Sequence, residues 1–325
     1  MKKIRVYLFF LLGVSIATSC VQSNIKNGRY NNDATLELGE IEESQLFADK
    51  FDDFTIVPLE NNREGLLSDV YKMQVTDSGM YFFDNASYPL LLLYSHEGDF
   101  KNRIGELGHK KSEYTNISNF SAHATGDAID ILDFNSLKTF SSNGSFISSI
   151  TLEDEYGWDD LAFVPGGVML ATYHRGYDFL VSMFDSTFEN RKNLLPVSSE
   201  LIKGAMWGLN RLQCVGEKVC FLDPCNSTFY LFDINHLDDI HRIVLKSPNM
   251  LTEKVAREND GYLNGGYNFV QDFVYDGESI LGTMSYEGRL CDFEIDLEKN
   301  AITLGNHIGF NYSFLCYYDR SEERR

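Results

Sequence analysis

Hydrophobic positions along the chain fall into short runs separated by polar turns that contain glycine, as in "KMQVTDSGMYFFD", "FSAHATGDAIDILD" and "LQCVGEKVCFLD". Gly79, Gly126, Gly166, Gly216 and Gly277 hold this turn position in successive units that recur about every 40 to 60 residues, over about 66–110, 112–155, 156–200, 201–247 and 265–308. Each unit offers three or four strand candidates. A strand, a tight turn, a strand, a polar turn and a strand, repeated at that period, predict the four-stranded antiparallel blades of an all-β β-propeller. The segment Phe54 to Glu60 ("FTIVPLE") reads as one more strand ahead of the first unit.

The turns set the register of the strands. "TDSG", "ATGD", "VPGG", "VGEK" and "YDGE" join first strands to second strands as tight hairpins, while "HEGD" and "SNGS" join third to fourth. Successive strands of a blade run up and down. Both hairpin classes therefore share one face, and the second-to-third and blade-to-blade connections share the other. Those connections are longer and more varied, so a binding site is expected on that loop face.

Composition supports a strand-built core and narrows the partners. The 325 residues are 43% hydrophobic and 14% aromatic, with six prolines, and no Pro- or Ser-rich linker divides them; one main domain is expected over residues 36–325. A net charge of −20 argues against nucleic acid, which needs a concentrated cationic footprint. Residues 1–19 have the shape of a signal peptide, with Lys2, Lys3 and Arg5 before an apolar run from Val6 to Ile16 and the small residues Ala17, Thr18 and Ser19. That run is too short to span a bilayer. Small residues directly before Cys20 resemble the lipobox of bacterial lipoproteins, which implies that Cys20 is lipidated and anchors the protein to a membrane; an ordinary cleaved signal is the alternative. The polar, Asn-rich stretch over residues 20–35 reads as a flexible tether. Beyond Cys20, the odd number formed by Cys214, Cys220, Cys225, Cys291 and Cys316 implies no complete disulfide framework. Without C-x-x-C pairs these read as strand-buried thiols, and no metal or cofactor is expected.

The "FTIVPLE" strand, the "MYFFDNASYPLLLLYSHEGDFKNRIGELG" blade and the "SEYTNISNF" that follows resemble the six-bladed β-propeller lipoproteins frequent in Bacteroidota, relatives of the NHL and TolB-like propellers. The resemblance covers roughly residues 50–300 and implies about six blades and an outer-membrane lipid anchor. The leading strand would then complete the last blade beside C-terminal strands. After Gly309 only "FNYSFLCYYDRSEERR" remains, so that blade is expected to be incomplete or to draw on Thr35 to Ile41 ("TLELGEI"), or the chain is truncated relative to its relatives. The loop "GHKKSEY" departs from the Gly/Pro-rich link of the relatives, and no role carries over to it. Val21, Gln22, Ser23 and Asn24 lack the acidic character of surface-exported lipoproteins, which by resemblance favours the periplasmic side over the cell surface.

Candidate chemistry is sparse. Asp84, Asp133 and Asp223 each end a second strand and would meet on the loop face, either as a ring of carboxylates for a cation or polyhydroxylated ligand or as acceptors for the N–H groups of their own turns. The third unit replaces this Asp with "TYHRGYD", placing Tyr173, His174, Arg175 and Tyr177 there; His174 and Arg175 are the catalytic candidates. Tyr114, Trp158, Trp207 and Tyr267 lie where the chain enters first strands, either as platforms for a sugar or peptide or as wedges between blades. Asp185-Ser186-Thr187 resembles the short O-glycosylation motif of Bacteroidota. These features point to an envelope binding or interaction module for a glycan, peptide or partner protein. The alternatives are a polysaccharide lyase or hydrolase using His174 and Arg175, and a structural subunit of an envelope complex.

Overall fold

In the computed structural model the described residues are 5–7, 32–43, 55–85, 88–123, 125–152, 157–172, 178–196, 211–223, 227–252, 254–255, 266–307 and 315–317. They divide into two compact units, one from Met1–Val14, Phe51–Leu161 and Gly309–Arg325, the other from Ser15–Lys50 and Ala162–Ile308. Strands are numbered in chain order, with β1 (Arg5–Tyr7) and β2 (Asn32–Glu37) preceding the repeats.

The first unit holds two antiparallel meanders. One is β3 (Val70–Thr76), β4 (Gly79–Asp84), β5 (Leu90–Tyr94) and β6 (Phe100–Arg103); the other is β7 (Asn119–Ala122), β8 (Ala128–Asp133), β9 (Ser136–Ser141) and β10 (Phe146–Thr151). The second unit holds three: β11 (Asp160–Val164) to β14 (Arg191–Pro196), β15 (Leu212–Val215) to β18 (Ile240–Lys246), and β19 (Phe269–Tyr275) to β22 (Ala301–Asn306). Asp160 and Leu161, which open β11, belong to the first unit. Each sheet is a β-propeller blade, at the period read from the sequence. All five turn glycines have positive φ. At Gly79, with φ of 141°, a Cβ would lie 2.2 Å from Tyr94 O, so the turn admits only glycine.

Side-chain alternation explains how the blades pack. In the first blade Tyr81, Phe83, Leu91 and Leu93 join Phe120, Ile129, Ile131 and Phe140 in one cluster, while Met80, Phe82, Leu92 and Tyr94 point the other way and pack with Val57. A strand buried on both faces reads as a continuous apolar run, which is why "GMYFFD" shows no polar alternation.

The described residues form five blades, not about six. The reason lies in two segments assigned to closure. Residues 55–60 of "FTIVPLE" form no ladder; Glu60 N donates to Gly98 O at 2.8 Å and the Glu60 carboxylate accepts from Phe100 N at 3.0 Å, which lays Val57 over the Phe82 side of the first blade. Pro58 lacks the N–H that a regular ladder would need. Most of "TLELGEI" is taken up elsewhere: β2 pairs in parallel with β18, making the fourth blade five-stranded, and Glu42 N then donates to Leu304 O at 2.8 Å in the fifth. Beyond the fifth blade, β23 (Leu315–Tyr317) pairs with β1.

Candidate functional site

The loop-face end of the first blade carries an open depression of about 470 Å³. Leu66 and Ser68 come from the segment entering β3, Asp84 ends β4, Tyr88 and Leu90 lie on the connection into β5, Arg103 ends β6, and Leu107 follows on the way to β7. Every one of these positions is on the side that the hairpin register assigns to varied loops.

The polar wall is built by Asp84 and Arg103. Asp84 is buried, and its Oδ2 accepts from Ser68 N and from Asp69 N, the latter at 2.8 Å, which fixes the chain as it enters β3. The Arg103 Nε and the Tyr114 hydroxyl are both buried. Burial pushes the Tyr114 phenol above its ordinary pKa, and the Arg103 charge and hydrogen bonding with that guanidinium pull it back. Tyr114 also bridges to Leu107, with Tyr114 N donating to Glu106 O at 3.0 Å, so the loop carrying Leu107 is held in place. The rim is apolar and open: Tyr88 is 68% exposed, Leu66 58% and Leu107 37%. Large exposed apolar side chains grouped around one depression are a surface suited to a partner rather than to water.

Asp133 shows that the second-strand aspartate is a repeated locking device. Its carboxylate accepts from Thr115 N and Asn116 N at 3.1 Å each, from Thr115 Oγ1 at 2.7 Å and from Lys138 Nζ at 2.7 Å. These donors lie on the chain entering the preceding first strand and on β9, rather than in the aspartate's own turn. Asp223 is buried at the matching end of β16 (Lys218–Asp223).

Tyr114 and Trp158 are fully enclosed, and Trp158 N donates to Phe134 O at 3.3 Å; Tyr267 is half-buried ahead of β19. Cys20, Tyr173, His174, Arg175, Tyr177 and Trp207 lie outside the described residues. Asp185 organises the turn after β13 (Phe179–Asp185), accepting from Asn190 and from Thr187 N and Oγ1, and these bonds hold its pKa down to about 2; Ser186 is exposed there. Among the described residues Cys220 and Cys291 are buried free thiols, and no three His, Cys, Asp or Glu side chains gather as a metal site.

Sequence reasoning missed Leu66, Tyr88, Arg103 and Leu107. The "NASYP" connection and the end of "FKNRIGELG" were already legible as loop-face positions. That their side chains surround one depression depends on contacts that periodicity does not encode.

The chain matches a domain of unknown function, DUF4934, over residues 34–315. No curated protein matches it. Among solved structures, a protein of Bacteroides fragilis NCTC 9343 described as exported is 15% identical, with a TM-score of 0.65 over 84% of this chain and 80% of that one. A DUF4221 member from Bacteroides vulgatus ATCC 8482 is 10% identical, with a TM-score of 0.52 over 81% and 84%. A chain of a nidogen/laminin complex is 13% identical, with a TM-score of 0.50 over 77% and 89%. At these identities the likeness is one of fold.

Proposed function

The chain belongs to the DUF4934 family, and from that premise we propose that it is an exported β-propeller that acts as a binding module of the cell envelope, without catalysis of its own. The depression on the first blade carries this reading, because it groups exposed Tyr88, Leu66 and Leu107 on the varied-loop end of a rigid sheet. The charged and apolar N-terminal pattern and the exported Bacteroides fragilis neighbour support an extracytoplasmic location. Within that reading Cys20 holds the protein to the outer membrane through lipid, on the periplasmic side, and the loop face engages a glycan, peptide or envelope protein. Among the described residues no helix is long and apolar enough to cross a membrane.

The test pairs capture of envelope proteins and glycans by the wild-type chain with capture by a Tyr88→Ala/Leu107→Ala variant that melts at the same temperature. Loss of a bound partner in the variant is expected, and identical capture by both would sink the reading. Cys20→Ser should move the protein from the membrane to the soluble fraction; unchanged membrane association would remove the lipid anchor.

A further inference from the structure

We propose that β10, the outer edge of the second blade, is a self-association surface that pairs antiparallel with β10 of a second copy of this chain and joins two blades into one continuous sheet. The surface shares no residue with the depression on the first blade, and neither reading depends on the other.

An outermost strand turns a row of N–H and C=O groups to water, and native sheets cover such an edge, charge it or interrupt it with proline. The other four blades do so. Glu60 bonds to Gly98 and Phe100 at the start of β6, which also carries Lys101 and Arg103. β14 exposes Arg191 and Lys192 and ends on Pro196. β18 is covered by β2, and Glu42 N donates to Leu304 O of β22. Among the described residues nothing pairs with the outer side of β10. Its sequence, Phe-Ile-Ser-Ser-Ile-Thr, has neither charge nor proline. The register against β9 shifts between Phe146 and Ser148, but Ser148 to Thr151 then run as a regular ladder, a bare and flat edge.

Charge and strand geometry point to a second copy as the occupant. Two chains of net charge −20 repel, so they meet most readily where neither presents charge. Thr139 to Leu152 hold no Asp, Glu, Lys or Arg, in a chain that is 23% charged. Leu152 N donates to Asn135 O towards β9, so alternation turns the N–H and C=O of Ser149 and Thr151 to the free edge. Around a two-fold axis at Ile150 these groups exchange about four backbone hydrogen bonds. Ile150 then faces Ile150 and Ser149 faces Thr151, so each direct pair is apolar with apolar or hydroxyl with hydroxyl. Ile147, 56% exposed on the same strand, adds apolar surface at the end of the contact.

Sedimentation velocity of the full chain carrying Cys20→Ser tests the proposal, with Ser149→Pro and Thr151→Glu made in the same background so that association through the N-terminal residues is common to all. A strand edge buries less than the roughly 1,200 Å² of a stable interface, so a dissociation constant of about 100 μM is expected for the parent. Raising the salt from about 0.15 M to about 0.5 M should tighten the dimer about threefold by screening the repulsion. Ser149→Pro removes an outward N–H without breaking a bond to β9, and Thr151→Glu sets a carboxylate on each copy; each should weaken the dimer at least about tenfold. Hydrogen exchange at Ser149 and Thr151 should slow as the parent is concentrated. A parent that stays monomeric at about 1 mM overturns the proposal, as does a dimer that Thr151→Glu leaves unchanged, even where Ser149→Pro fails to fold. Capture of another protein by a monomeric parent, lost in Thr151→Glu, would assign the edge to a strand of that protein and likewise overturn pairing with a second copy.

Discussion

The side chain of Gln74 pairs with the backbone of Ala122 as a neighbouring strand would: Nε2 donates to Ala122 O at 2.8 Å and Oε1 accepts from Ala122 N at 2.8 Å. Gln213 repeats this in the second unit, donating to Phe273 O at 2.7 Å and accepting from Tyr275 N at 2.9 Å. Two residues earlier stands a buried cation in each case, Lys72 or Arg211, which donates to Phe120 O or Val270 O of the next first strand. First strands of neighbouring blades share no ladder, so a cation-x-Gln pair supplies the bonds that a ladder would have made.

Gln74→Leu should therefore destabilise the protein by about 2 kcal/mol, since it leaves a donor and an acceptor of Ala122 unpaired. Urea unfolding measures this. A change under about 0.5 kcal/mol would mean that water replaces both bonds.

Lys72 should be harder to replace. Its Nζ donates to Asn119 Oδ1 at 2.8 Å and to Phe120 O at 2.9 Å and lies 3.9 Å from Asp160 Oδ1, to which Asn119 Nδ2 also donates at 2.7 Å. Lys72→Met removes the buried cation beside the Asp160 carboxylate and is expected to cost about 3 kcal/mol at neutral pH. Burial lowers the Lys72 pKa, and the Asp160 charge opposes the shift. Between that lowered value and 10.5 the unfolded chain binds more protons than the folded one, so the stability tied to Lys72 rises with pH through this window. The gap between wild type and Lys72→Met should widen as pH approaches 10.5, and a gap that narrows would contradict this assignment.

The tyrosines carry the opposite sign. Burial pushes Tyr81 and Tyr94 up to about 12, with Asp127 adding to Tyr81, and Glu60 and Asp84 to Tyr94. Their contribution is complete below pH 10 and is lost as pH rises from 10 towards 12, because the unfolded phenols ionise first. An absorbance titration should show a late-ionising fraction that shrinks in Tyr81→Phe and Tyr94→Phe. Simultaneous ionisation of all tyrosines near pH 10 in the folded protein would refute it.

On the fourth blade, burial rather than charge should hold β2. Leu36 is buried among Leu245, Phe229 and Ile243, so Leu36→Ala should cost about 2 to 3 kcal/mol. Arg242, paired with Asp33 at the exposed edge, should lose less than about 1 kcal/mol on replacement by Ala. Chemical denaturation of the two variants gives the order directly, and the reverse order would show that the ion pair positions the strand.

Much of the fold was legible from residues alone. Glycine at five equivalent turns and the apolar runs around them placed the blades within a few residues, because a hairpin needs its left-handed residue and a buried strand needs its apolar faces whatever else surrounds them. The blade count was less legible. "FTIVPLE" has strand composition, but the backbone bonds of Glu60 with Gly98 take it along the edge of the first blade, and "TLELGEI" has the same composition and does enter a sheet.

The candidate site divides along the same line. Asp84 was visible as a strand-ending carboxylate, and the loop face was visible from the register. Its amide partners, Ser68 and Asp69, lie 16 and 15 residues away and could not be chosen from spacing. Local rules of turn geometry and side-chain alternation are written residue by residue, so the repeating strands, their hairpins and their up-and-down order follow from the chain itself. Which segment covers an exposed blade edge, which donor reaches Asp84, and which side chains gather around the depression of the first blade are settled only when distant residues compete for the same backbone groups and apolar surface.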